Sequence, residues 1–221
     1  MNRLKYKIAL LAGALLIWLT PVQAAFAADN AIVATDADAA FAFKVAYNNG
    51  RYAVYMQPNA SPEQYNLTLT GQVTLKVPHG VDADSFKVID IQNGVQGANW
   101  SSTSRINAPS EDQNADYISF TVEFPEGNHQ AYQWKAGEEI EVFSFANEGT
   151  CLGSVALLDN SDPFMAPVNS ANTNPGNQID VLGFREGNLY ANNYGDAANC
   201  GAEVVDVDTL INKIFMPLVN R

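Results

Sequence analysis

Histidine, cysteine and positive charge are all scarce in this chain, and each scarcity removes a class of chemistry. The 221 residues hold two histidines, and both fall in turn sequences: Pro78-His79-Gly80 and Gly127-Asn128-His129. There is no H-E-x-x-H pair to hold a catalytic metal and no G-x-S-x-G elbow to present a nucleophile. Glu123, Glu126, Glu138, Glu139 and Glu141 offer carboxylates of the kind that cleave glycosides. Glu139 and Glu141, however, fall on the polar side of a strand pattern. The chain is therefore expected not to be an enzyme. Twelve Lys and Arg stand against 24 Asp and Glu, for a formal net charge of −12. Such a surface repels phosphate backbones and anionic lipids, so nucleic acid is not an expected partner. It suits divalent cations, or simply keeps the chain in solution.

The basic residues that do exist are partly spent at the start. Arg3, Lys5 and Lys7 precede an apolar run from Ile8 to Leu19, then Pro21 and the small-residue stretch Val22-Gln23-Ala24-Ala25-Phe26-Ala27. This is the three-part pattern of a secretory signal peptide, with Ala24 and Ala27 as competing cleavage sites and Ala27 preferred. As a helix the apolar run spans ~18 Å, short of a hydrocarbon core of about 30 Å. No membrane insertion is expected once residues 1–27 are removed. Cleavage would take three bases and no acid, leaving a formal charge of about −15. No cysteine follows the run to carry a lipid.

Beyond the signal, short alternating segments are separated by turn residues, and helical periodicity is missing from the body. Phe41 to Tyr47 alternates, Asn49-Gly50 signals a hairpin, and Arg51 to Met56 resumes. Leu67, Leu69, Val73, Leu75 and Val77 share one parity, with Gly71 marking a bulge or a close backbone approach. Phe86 to Ile91 and Ile118 to Phe124 read as further strands. From Glu138 to Ala146 the apolar parity switches between Val142 and Phe143, the mark of a bulge or of a strand buried on both faces. Gly153–Leu158, Ile179–Leu182, Leu189–Ala191 and Val204–Val207 complete the series. The spacing predicts an all-β immunoglobulin-like or jelly-roll sandwich over residues 41–207. A flexible arm over 28–40 precedes it and an apolar tail over 208–221 follows.

The two cysteines, Cys151 and Cys200, are expected to form one disulfide in an exported chain. Between them lies DNSDPFMAPVNSANTNPGNQIDVLG, at 159–183, which is dense in Asn, Asp, Pro and Gly. Asn and Asp make tight turns, so the stretch reads first as a disulfide-clamped irregular loop. The same oxygens suit Ca²⁺, a hard cation taking six to eight oxygen ligands. The candidate ligands are Asp159, Asn160, Asp162, Asn177 and Asp180, without the spacing of an EF-hand.

Trp100, Tyr132 and Trp134 cluster near turns and are the candidate sugar-stacking rings, unless they fill the core. Asn66-Leu67-Thr68 and Asn99-Trp100-Ser101 match the glycosylation acceptor pattern. In the tail, Leu210, Ile211, Ile214, Phe215 and Leu218 fall at helical spacing until Pro217 interrupts. They would either cover a sandwich edge or dock on a partner.

Three stretches, LTLTGQVTLKVPHGV at 67–81, GANWSSTSRINAPSEDQNADYISFTVEF at 97–124 and AGEEIEVFSFANEGTC at 136–151, resemble bacterial extracellular β-sandwich modules of the cohesin and carbohydrate-binding type. The closing stretch at 157–183 resembles a module of secreted surface proteins in filamentous and gliding bacteria. The resemblance implies a sandwich outside the cell. A cohesin would imply a dockerin partner. The expected function is a secreted, non-catalytic module of cell-surface or matrix adhesion, engaging an extracellular protein or polymer or self-associating. A carbohydrate-binding module is the alternative.

Overall fold

Asn49 and Gly50 take positive φ, 50° and 82°, which is the backbone a two-residue hairpin of matching twist requires. They join β1 (Phe41–Asn48) to β2 (Arg51–Pro58) in an unbroken antiparallel register. A computed structural model describes residues 39–201. The expected signal at 1–27, most of the expected arm, the strand expected over Val204–Val207 and the tail at 208–221 lie outside the described residues.

The remaining strands are β3 (Leu67–Pro78), β4 (Val88–Asn93), β5 (Asn99–Asn107), β6 (Ala115–Glu123), β7 (Ile140–Asn147), β8 (Ser154–Leu157), β9 (Gln178–Leu182), β10 (Tyr190–Asn193) and β11 (Ala198–Asn199). They form two sheets. The first has the order β10-β1-β2-β7-β4 and the second β11-β8-β3-β6-β5, with β9 also paired to β3. The fold is the all-β sandwich, stapled by a disulfide, that the sequence predicts. Ala39 and Ala40 belong to its body rather than to an arm. Ala39 is fully buried, and the Ala40 N–H donates to Asn59 Oδ1.

Two bulges set which side chains face inward. In β7 the pairing passes from Val54–Phe143 to Tyr55–Glu141, leaving Val142 as the extra residue. Val142, Phe143, Ser144 and Phe145 are consequently all buried. In β3 the pairing passes from Thr68–Val181 to Thr70–Asp180, leaving Leu69 extra. A one-residue shift moves side chains to the opposite face of a sheet. The core parity expected for Leu67 and Leu69 is therefore wrong: Thr68 turns inward and Leu69 is exposed. Gly71, just beyond, makes the close approach its sequence suggests. A Cβ there would lie 3.1 Å from the Trp100 indole and 3.3 Å from Val122.

The core between the sheets is aromatic. Phe143 lies 4.9 Å from Trp100 and 4.8 Å from Phe120, centroid to centroid, and Tyr52 stacks on Phe145 at 5.4 Å. Burial and Tyr47 push the Tyr52 hydroxyl up to about 12. At one end the fully buried Asp116 closes the core. It accepts from Arg105 Nη2 at 2.5 Å and from the Ala108 N–H at 3.0 Å, with His79 Nδ1 at 2.7 Å. Arg105 donates further to the Phe86 carbonyl. A buried carboxylate is tolerable only when its lone pairs are met in this way.

Candidate functional site

The disulfide joins Cys151 to Cys200 with Cα atoms 5.6 Å apart. It encloses more than an irregular loop: β8, β9, β10 and β11 all fall between the two cysteines. The irregular part is the stretch from Leu158 to Asn177. It leaves β3 after β8, crosses the outer face of the second sheet and returns to the same side of β3 as β9.

This excursion is a lobe with its own apolar centre. Phe164 is fully buried, its ring 4.4 Å from Tyr117, beside Ala115 and Leu158. Polar groups knit its rim. Asn177 Oδ1 accepts from the Thr74 N–H at 2.8 Å while its amide donates to the Leu158 carbonyl. Gln72 Nε2 donates to the carbonyls of Asn174 and Gly176.

Three of the five candidate calcium ligands, Asp159, Asp162 and Asn177, already accept hydrogen bonds from the protein. Asp159 accepts from Ser161 N–H and Oγ, closing a tight turn. Asn160 donates to the Ala191 carbonyl. Asp162 accepts from Lys76 Nζ at 2.7 Å, Tyr117 Oη at 2.9 Å and the Phe164 N–H at 2.9 Å. Asn177 is committed inward, and Asp180 stands on β9 opposite Thr70. Among the described residues no three His, Cys, Asp or Glu side chains gather as metal ligands. The oxygens of Asp159, Asp162 and Asn177 serve turns and the rim of the lobe.

Lys76 also meets Asp112 at 2.8 Å. Burial opposes the Lys76 charge, but Asp112 and Asp162 outweigh it and hold the ammonium above the usual lysine range. In return the Lys76 hydrogen bond, followed by the Asn114 N–H, holds Asp112 below the usual carboxylate range. Asp159 is lowered by Ser161. A carboxylate lowered by folding stabilises fully above its unfolded value of about 4 and stops doing so as pH falls through the lower folded value. The melting midpoint should therefore drop as pH falls from about 5 to about 3. Asp112→Asn should remove part of that drop in melts across this range. An unchanged acid limb in the variant would show that Asp112 is not coupled to folding.

The three candidate sugar-stacking rings lie in the core, which corrects the sequence expectation. Trp100, Tyr132 and Trp134 are 5%, 1% and 1% exposed. Tyr132 and Trp134 belong to the connection from β6 to β7, which folds over the sandwich end instead of projecting from it. Trp100 Nε1 donates to Tyr132 Oη at 2.7 Å, and Trp134 Nε1 donates to Thr68 Oγ1 at 2.9 Å. No ring face is left for a sugar. Of the acceptor asparagines, Asn66 is tied through both side-chain atoms to the Trp134 backbone, whereas Asn99 is exposed.

Two outer surfaces remain. On the second sheet the lobe stops at Gln72, and among the described residues nothing covers the other half of the face. There Leu67 pairs with Leu182, so their side chains lie side by side. Tyr65, Leu69 and Leu182 are 51%, 45% and 45% exposed. Gly183 (φ 113°) fixes the contact between these segments, since a Cβ would come within 1.7 Å of the Tyr65 carbonyl oxygen. Tyr65, Leu67, Leu69 and Leu182 thus form one apolar patch. Apolar side chains gathered on one exposed face are a candidate contact surface.

On the first sheet the outer face is polar. Lys44 lies opposite Tyr55, with its ammonium 4.6 Å from the Tyr55 ring centroid and 5.4 Å from that of Tyr194. It donates to both Glu139 oxygens, at 2.8 and 2.6 Å, and Tyr194 Oη donates to Glu139 at 2.5 Å. Tyr55 Oη donates to Glu141. A groove of about 340 Å³ on the same face is lined by Ala42, Gln57, Asn59, Gly137 and Asn192. The sequence reading missed Tyr55 and Tyr194. The signal for Tyr55 is its parity, opposite to that of the buried Tyr52, Val54 and Met56.

Comparison of the chain with protein-family models, curated proteins and solved structures finds no match. The likeness to cohesin and carbohydrate-binding modules therefore stays an expectation. Among the described residues no helix is long and apolar enough to cross a membrane.

Proposed function

We propose that this chain is an exported, non-catalytic binding module of the cell surface or extracellular matrix, engaging a protein or polymer partner. The observation that carries this reading is the apolar patch of Tyr65, Leu67, Leu69 and Leu182 on an otherwise acidic, disulfide-stapled sandwich. The disulfide belongs to an oxidising compartment, and the signal-like start offers the route there. The resemblance to extracellular cohesin-type sandwiches supports the same place and the same kind of work. Fractionation of producing cells should recover the protein outside the cytoplasm. Cells lacking it should attach less well to one another or to a surface. Cytoplasmic protein, or unchanged attachment, would overturn the reading.

The Lys44 face favours a second reading, carbohydrate binding. Tyr55 and Tyr194 present partly exposed rings beside a groove with amide side chains, the mixture that sugar sites use. A glycan array would test it. Binding that survives Tyr55→Ala together with Tyr194→Ala would rule out this face.

A further inference from the structure

The patch on the second sheet has a complement elsewhere in the same sequence. Residues 208–221 carry Leu210, Ile211, Ile214, Phe215 and Leu218, five apolar side chains at helical spacing. The segment also holds Lys213 and Arg221 against the single acid Asp208, so its side chains carry a formal +1 in a strongly acidic chain. The patch is bordered by acids. Asp180 faces outward two residues before Leu182, and the Glu63 N–H donates to the Gly183 carbonyl at 3.3 Å. We infer that residues 208–221 of one copy dock on the Tyr65–Leu67–Leu69–Leu182 patch of a second copy, joining copies head to tail.

The strand directions favour a second copy over the same one. β11 and β3 each pair antiparallel with β8, so β11 runs parallel to β3, towards the Pro78 end. At Gly201 the chain is thus heading away from the patch. The return along β3 from Pro78 to Leu67 covers about 36 Å at ~3.3 Å per residue. The link from Gly201 to Leu210 spans at most about 30 Å when fully extended. For Leu210 to meet Leu67 of its own copy, the link would have to exceed its extended reach, whereas a second copy sets no such limit. The two surfaces differ, so the contact is heterologous. It propagates into open assemblies unless the rotation between copies closes a ring.

The inference rests on the patch being the contact surface of the binding module. Light scattering coupled to size exclusion, on the full mature chain, tests it. The wild-type protein should show a mass that rises with concentration. Leu182→Glu, which spoils the patch, and Phe215→Glu, which spoils the tail, should each be monomeric. Leu182 is surface-exposed, so its variant should melt like the wild type, and Leu69→Glu provides an independent second lesion. An equal mixture of the Leu182→Glu and Phe215→Glu variants should give a species of twice the monomer mass. One variant keeps an intact tail and the other an intact patch. A monomeric wild type, a single variant that still assembles, or a mixture without dimers would each overturn the inference. If cell attachment still depends on the protein in that event, the binding-module reading stands and its partner is another molecule.

Discussion

Trp134→Ala should destabilise the protein by about 3–5 kcal/mol, the range for deleting a large buried aromatic. The ring is stacked on Tyr132 at 4.7 Å and meets Phe41 edge-on at 4.9 Å. Both contacts vanish with it. So does the donation from Nε1 to Thr68 Oγ1, leaving a hydroxyl that is 1% exposed without its donor. An unmet buried polar group adds about 1–3 kcal/mol in its own right. For a domain of this size the loss lowers the midpoint by roughly 10 °C. Trp134→Phe, which keeps a ring but no donor, should fall between. Thermal or urea melts measure all three. The outward-facing Tyr55 gives the contrast: Tyr55→Ala should leave the midpoint nearly unchanged. If Trp134→Ala also melted like the wild type, the indole would be a surface ring, and its assignment to the core would fail.

Trp134 also shows where the sequence becomes ambiguous. Its neighbours Pro125, Gly127, Asn128 and Gly137 read as turns, and a ring among turns reads as exposed. Nothing local states that the whole connection folds back over the sandwich end. That is decided by the gap between the sheets, which Phe41, Tyr132 and Trp134 fill together. The β1–β2 hairpin was legible because Asn49-Gly50 names its turn type and Phe41, Phe43 and Val45 keep strict period two. The bulges were legible only in part. Val142-Phe143 betrays one by doubling the apolar parity. Leu69 conceals the other, because a leucine on the core parity looks correct until the extra residue turns it outward. β5 was missed for a different reason. As the last strand of its sheet, with Ser101, Ser102, Thr103 and Ser104 exposed, it has little core face to create alternation.

The lobe joins both lessons. Its many Asn and Asp residues suggest an oxygen-rich cation site, yet the oxygens mostly accept from nearby N–H and O–H donors. The Phe164 N–H binds Asp162, and Ser161 binds Asp159. Phe164 was the overlooked signal. A large aromatic ring in a polar stretch gains from burial, and here it supplies the lobe's centre against Tyr117. Burial and then Asp162 push the Tyr117 hydroxyl up to about 12. The ring therefore stays neutral, a donor to Asp162, throughout the physiological range.

Removing the disulfide should cost about 4 kcal/mol by the loop-closure argument for a cross-link at this separation. The size follows from what the staple spans, since Cys151 and Cys200 are 49 positions apart. Four strands and the lobe lie between them, all free to roam in an uncrosslinked unfolded chain. The native contacts at the staple are weak by comparison. β11 contributes two residues, paired only with Ser154 and Val155 of β8. Without the bond, that pairing and the burial of Ala198 would hold the end of the described chain, so fraying should begin at β11. The paired variant Cys151→Ser with Cys200→Ser, and the wild type under reductant, should both melt at least 8 °C lower. Hydrogen exchange should quicken first at Ala198 and Asn199, then along β8. The lobe should stay protected longer, because Lys76, Tyr117 and Asp162 anchor it to β3 and β6 rather than to the staple. A midpoint shift below about 2 °C would mean that the cross-link restrains little of the unfolded chain. The fold would then be equally at home in a reducing compartment, and the argument for export would lose its structural half.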